Sequence, residues 1–173
     1  VVSGPSPRRK HAMAYDSGRG VTVLFGGMTA TGNSGETWEW NGTAWTQRMV
    51  GGPSPRFGHA MAYDPRRRVS VLYGGQSSSY SNETWEWDGT TWTQRLANGP
   101  IRMRDHAMAY DSARGVIVVF GGFWGGLSNQ TWEWNGVDWA WRTDVGPSPR
   151  MDCAMAYDTA RAAAVLFGGM GAS

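Results

Sequence analysis

Residues 83–92 read ETWEWDGTTW, and residues 69–75 before them read VSVLYGG. Asp88-Gly89 is the punctuation. Asp-Gly and Asn-Gly are the strongest short hairpin signals, because a type I′ turn takes positive φ at both central residues. ETWEW therefore reads as a strand that turns back at Asp88-Gly89 into a second strand opening near Trp92. The 69–75 run is rich in β-branched and apolar residues, with Ser70 its one polar interruption, and stops at two glycines, as expected for a strand covered on both faces. Further upstream, HAMAYD (59–64) alternates small and large residues, and DPRRR (64–68) supplies turn chemistry. No segment keeps a helical period over two turns. The unit is a meander of four short antiparallel strands, here a to d in order.

The same unit recurs along the chain. His11, His59, His106 and Cys153 stand 48, 47 and 47 residues apart. Gly26-Gly27, Gly74-Gly75, Gly121-Gly122 and Gly168-Gly169 form a second column, and Trp38, Trp85 and Trp132 a third. Trp45, Trp92 and Trp139 form a fourth. The units divide at 1–50, 51–97, 98–145 and 146–173, the last holding only strands a and b. Such a period points to a solenoid, propeller or array. One meander cannot bury its tryptophans alone, so neighbouring sheets must stack face to face. Radial stacking of four-stranded sheets is a β-propeller. Strand a is placed innermost, where Ala12, Ala14, Ala60, Ala62, Ala107 and Ala109 suit the taper. The expected fold is all-β: a partial β-propeller of about three and a half blades, whose ring this chain alone does not close.

VTVLFGG…TWEWNGTAW, VSVLYGG…TWEWDGTTW and VIVVFGG…TWEWNGVDW each give an apolar run, a double glycine and two aromatics separated by six residues. This pattern resembles the kelch repeat, with Trp where kelch units more often carry Tyr. The resemblance implies a propeller whose b–c and d–a connections share one face, commonly the binding face. It also suggests large bacterial extracellular kelch-type proteins, and so a secreted or cell-surface setting. Four a–b pairs against three c–d pairs fit either truncation of a longer propeller or assembly from copies, with self-association through open blade edges.

Composition narrows the partners. Charged residues make up 17% and the net charge is +2, too weak a balance to argue for nucleic acid. No apolar run is long enough for a membrane helix. The single cysteine, Cys153, forms no internal disulfide and neither requires nor excludes secretion. The chain opens on Val1-Val2-Ser3 without an initiator Met, which reads as a piece of something longer.

Function is expected where the repeat breaks. Tyr80, Phe123 and Trp124 are aromatics in polar, Gly-rich b–c loops. They stack on a sugar, anchor a peptide, or pack on a neighbouring loop. Arg102 and Arg104 bracket Met103, which holds a column otherwise filled by Arg8, Arg56 and Arg150. Arg8, Arg9, Lys10, Arg56, Arg102, Arg104 and Arg150 of the d–a segments form a basic collar for an anionic ligand, or the repeated Arg8, Arg56 and Arg150 make ion pairs with Glu39, Glu86 or Glu133 in an adjacent blade. Asp16, Asp64, Asp111 and Asp158 face Arg19, Arg67, Arg114 and Arg161 across the a–b turns, as solvated pairs worth under ~1 kcal/mol. The histidine column is a set of equivalent positions held apart around an axis, better suited to backbone bonds between blades than to a metal. No cofactor is implied. No nucleophile–base constellation is visible, and nothing reproduces the tyrosine–cysteine copper centre of kelch-bladed galactose oxidase. The expectation is a binding or scaffolding module for a protein, peptide or glycan. The alternative is a fragment of a carbohydrate-active or other enzyme propeller with its catalytic residues elsewhere.

Overall fold

The computed structural model describes residues 4–171, and among them every regular element is a strand. The first unit forms an antiparallel sheet in the order β1 (Ala12–Asp16), β2 (Val21–Phe25), β5 (Thr37–Trp40), β6 (Trp45–Arg48). A small hairpin, β3 (Met28–Thr29) with β4 (Gly32–Asn33), occupies its b–c loop. The second sheet holds β7 (Ala60–Asp64), β8 (Val69–Tyr73), β9 (Thr84–Trp87) and β10 (Trp92–Arg95). The third holds β11 (Ala107–Asp111), β12 (Val116–Phe120), β13 (Thr131–Trp134) and β14 (Trp139–Thr143). β15 (Arg150–Met151) pairs with β18 (Met170–Gly171), and β16 (Ala154–Asp158) with β17 (Ala163–Phe167). Strands β1, β7, β11 and β16 lie side by side around the axis. The molecule is an open arc of a β-propeller.

Each sheet has two unlike faces, and this asymmetry builds the core. One face is small or β-branched: Ala12, Ala14, Val23 and Phe25 in the first sheet. The other is heavy: Met61, Tyr63, Leu72, Trp87 and Trp92 of the second sheet pack onto that small face. The junction repeats one step on, where Ala62, Val71 and Tyr73 receive Met108, Ile117, Val119, Trp134 and Trp139. Both faces of strand b are thus covered, which is why its sequence is largely apolar and even its Ser70 is buried.

The tryptophans also bond across the junctions. Trp92 Nε1 donates to Thr37 Oγ1 at 2.9 Å, and Trp139 Nε1 to Thr84 Oγ1 at 2.8 Å. Trp87 Nε1 donates to Glu39 Oε1 at 2.9 Å. Glu39, only 3% exposed, also accepts from Arg19 Nη1 and from Arg48 Nε, each at 2.7 Å. Burial opposes its charge, but the bonds from Trp87, Arg19 and Arg48 outweigh burial and hold its pKa below the ordinary value. Glu86 repeats the arrangement with Arg67, Arg95 and Trp134.

Two local expectations are corrected. The c–d turn is a four-residue loop between the paired Trp40 and Trp45, and only Gly42 in it has positive φ. The Asn41 side chain, not a type I′ turn, closes the loop: its Oδ1 accepts from the amides of Thr43 and Ala44, both at 2.9 Å. Nor are the a–b pairs of the four-stranded units solvated. Asp16, Asp64 and Asp111 are buried, and Arg19 bridges Asp16 to Glu39 within the network above. Asp158, on the final two-stranded sheet, keeps the expected exposed pair with Arg161.

Candidate functional site

The b–c loops and the segments before strand a lie on one face, stitched together by backbone bonds. Arg9 bridges Met28, Phe57 bridges Gln76, and Arg104 bridges Phe123. The double glycines let the next unit approach: a Cβ on Gly26 would lie 2.7 Å from the Arg56 carbonyl and 2.8 Å from the His59 ring, and its φ is +66°. The Gly27 amide then donates to the Arg56 carbonyl at 2.8 Å.

Nearest the axis, backbone bonds join all four units in a belt. Gly58 N donates to Lys10 O at 2.9 Å, Asp105 N to Gly58 O at 2.6 Å, and Asp152 N to Asp105 O at 2.8 Å. All four residues are left-handed, with φ of 54°, 66°, 58° and 55° for Lys10, Gly58, Asp105 and Asp152. Lys10 Nζ reaches across to Asp105 Oδ1 at 2.9 Å and Asp152 Oδ1 at 3.4 Å. Below this bridge, His11, His59, His106 and Cys153 line an axial hollow of about 230 Å³. His59 Nε2 donates to the Phe25 carbonyl of the preceding unit at 3.0 Å, the interblade bond foreseen for this column. Burial pushes the His59 pKa down to about 3 and that of His106 to about 4, so both rings are neutral. Burial raises the Cys153 thiol above its ordinary value. Among the described residues, no three His, Cys, Asp or Glu side chains converge as a metal-binding group.

Beside the axis, Arg104 is enclosed by three rings. Its guanidinium carbon stands 5.5 Å from the centre of Phe123, 5.7 Å from Phe57 and 5.9 Å from Tyr80. Tyr80 and Phe123 meet edge to face at 6.2 Å. Arg104 Nη1 donates to Asp105 Oδ2 at 2.6 Å. Phe57 and Asp105 were not singled out in the sequence. The signal that could have marked them is irregularity: the columns Arg9/Phe57/Arg104/Met151 and Lys10/Gly58/Asp105/Asp152 vary in charge and size, and the second lines the axial hollow.

Outside the cage lies a cleft of about 550 Å³ lined by Tyr80, Asn82, Gly99, Pro100, Ile101, Arg102 and Trp124. Tyr80 and Asn82 come from the second unit, the rest from the third. Trp124 is 48% exposed, and Arg102 is exposed and enters no ion pair among the described residues. The hollow over the first unit, lined by Ser6, Thr29, Thr31, Asn33, Ser34, Gly35 and Glu36, is about 260 Å³ and has no aromatic residue. Of the five residues marked in the sequence, Tyr80, Arg102 and Trp124 share the cleft, while Phe123 and Arg104 form the cage behind Tyr80.

The repeated arginines pair differently from expectation. Arg8 meets Glu36 at 2.6 Å, and Arg56 meets Glu83, each within its own unit. Glu39, Glu86 and Glu133 instead take the turn and strand-d arginines. Arg8 holds Glu36 below its ordinary pKa despite partial burial. In the third unit both members of this pair change together: buried Met103 takes the arginine position and Gln130 the glutamate position. Gln130 Oε1 keeps one duty of that glutamate, accepting from Trp132 Nε1 at 3.0 Å as Glu83 accepts from Trp85.

No protein-family model and no curated protein matches the chain. The solved structure of YjhT does, with a TM-score of 0.76 at 14% identity over 95% of this chain. The likeness is one of fold. The chain spans 60% of the length of that protein. With the four-stranded blades above, the match supports the propeller architecture, a fold compatible with binding or scaffolding.

Proposed function

We propose that this chain is a kelch-type binding module that recognises a protein, peptide or glycan through the face bearing its b–c and d–a connections. One observation carries the reading: Tyr80, Arg102 and Trp124, all departures from the repeat, border a single cleft of about 550 Å³. That volume lies within the ~300–1,000 Å³ range of small-ligand sites. The exposed indole offers a stacking surface for a sugar ring or an aromatic or aliphatic side chain. Arg102, which enters no ion pair among the described residues, offers donors to an acceptor beside that surface. The proposal assigns these residues contact and no catalytic role, and its natural setting is an extracellular or cell-surface protein.

Glycan and peptide arrays probed with the chain and its Trp124→Ala and Phe123→Ala variants test the reading. Loss of the indole should weaken any selected ligand by about 10-fold or more, the scale of an anchor residue. Phe123→Ala should act less, through loop order. Binding that survives Trp124→Ala undiminished removes the cleft from consideration.

A further inference from the structure

Arg104 has the composition of a ligand-binding residue and the surroundings of an internal one. Its guanidinium touches rings from two units: Phe57 and Tyr80 from the second, Phe123 from the third. Its side chain is 21% exposed, and Asp105, against which it pairs, is 2% exposed. Asp105 divides its carboxylate, giving Oδ2 to Arg104 at 2.6 Å and Oδ1 to Lys10 at 2.9 Å. Tyr80 belongs to both neighbourhoods: one side meets the Arg104 cation, and the residue also lines the cleft with Arg102 and Trp124.

We infer that Arg104 is a positioning residue: pinned by Asp105, it fixes the Tyr80 ring and so sets the wall of the cleft without touching what binds there. The physical reason is directional. A cation over an aromatic face is held by the ring quadrupole, more strongly where water is thin. A guanidinium fastened at one end by a buried carboxylate offers that face a fixed plane. Backbone bonds close the polar Tyr80 loop, QSSSYSN over 76–82, through a Gln76–Tyr80 bridge, so the backbone is fixed and the ring itself has Phe123 and the Arg104 cation as its aromatic and cationic neighbours. Lys10 extends the chain of contacts to the first unit. The inference rests on the cleft being the binding site, but it concerns the order of Tyr80 and is tested without any ligand.

The experiment places a fluorinated tyrosine at position 80 and records its ¹⁹F resonance in the native chain and in variants. In the native chain the resonance should stand apart from that of an exposed fluorotyrosine; coincidence with the exposed position overturns the inference outright. Arg104→Met should move the resonance towards the exposed position, and Arg104→Lys, which keeps the cation, should recover most of the native shift. Asp105→Asn leaves Arg104 present but unpinned and should move it in the same direction as Arg104→Met. A signal unchanged in Arg104→Met or in Asp105→Asn, whichever folds, also overturns it. Midpoints of thermal unfolding recorded alongside separate a local change at Tyr80, which leaves the midpoint near the native one, from general loosening, which lowers it. Loss of array binding in Trp124→Ala with a normal Tyr80 response, or the converse, tells failure of the cleft from failure of the positioning role.

Discussion

The junctions between units and the loops over the third unit are made from the same repeat and obey opposite rules. At the junctions the tryptophan donors and the carboxylates they meet are copies of columns, and each copy performs the same bond: Trp87 to Glu39, Trp134 to Glu86. Over the third unit the columns fail together. Arginine and glutamate become Met103 and Gln130, arginines flank the vacated position, and aromatics enter the b–c loop. Repetition here marks what holds the arc; the joint departure keeps Met103 inside the junction core and leaves Arg102 and Trp124 exposed beside it.

Acid should separate the two regions most. His59 and His106 belong to the repeated part and are held neutral by burial, at about 3 and about 4. Their folded pKa values lie below those of the unfolded chain, near ~6.5. Stability is therefore complete above that pH and erodes as pH falls towards about 4, by roughly 1.4 kcal/mol per histidine for each pH unit. Urea unfolding at about pH 7 and about pH 5 should give clearly different midpoints, since ordinary carboxylates titrate mostly lower still. Equal midpoints would mean that the histidine column does not secure the junctions.

A smaller effect tests the paired departure directly. Met103→Arg alone puts a guanidinium into a buried slot whose acidic partner is missing and should cost about 3 kcal/mol or more. Adding Gln130→Glu should return much of that loss, with a coupling of ~1–3 kcal/mol in a double-mutant cycle. Additive effects would show that the two positions changed independently and would blunt the contrast drawn here.

The arc was legible because periodic columns report on packing that every unit must satisfy. Strand b could be read as doubly covered from its largely apolar run, and the alternation in HAMAYD placed strand a at the axis. Other features depended on geometry that columns do not carry. Glu36 and Glu39 stand three residues apart, and nothing in their spacing says that the first meets Arg8 and the second Arg19. The Asn41 turn was misread because its side-chain oxygen joins the backbone bond from Asn41 N to Ala44 O in closing a four-residue loop. Tyr80 and Trp124 were each visible as departures, but their shared cleft arises only where one unit stacks on the next. Lys10 and Asp105 gained meaning only when the belt brought them together.

The smallest effect concerns one residue of the repeated part that breaks a local rule. Arg68 has φ +57° at a turn position where the first and third units use Gly20 and Gly115. Arg68→Gly should stabilise the chain by about 0.5–1 kcal/mol through relief of that conformation. A loss of stability in thermal unfolding would instead assign the exposed Arg68 side chain a duty on the a–b face.

The unlike faces of each sheet make the junction behave as plug and socket, so units join in one orientation and the same pair of faces meets at each junction. Copying, deleting or exchanging a whole unit leaves every joint correctly mated. Such a chain can change length by recombination at little structural cost, while the few irregular positions around its mouth are left to vary in chemistry.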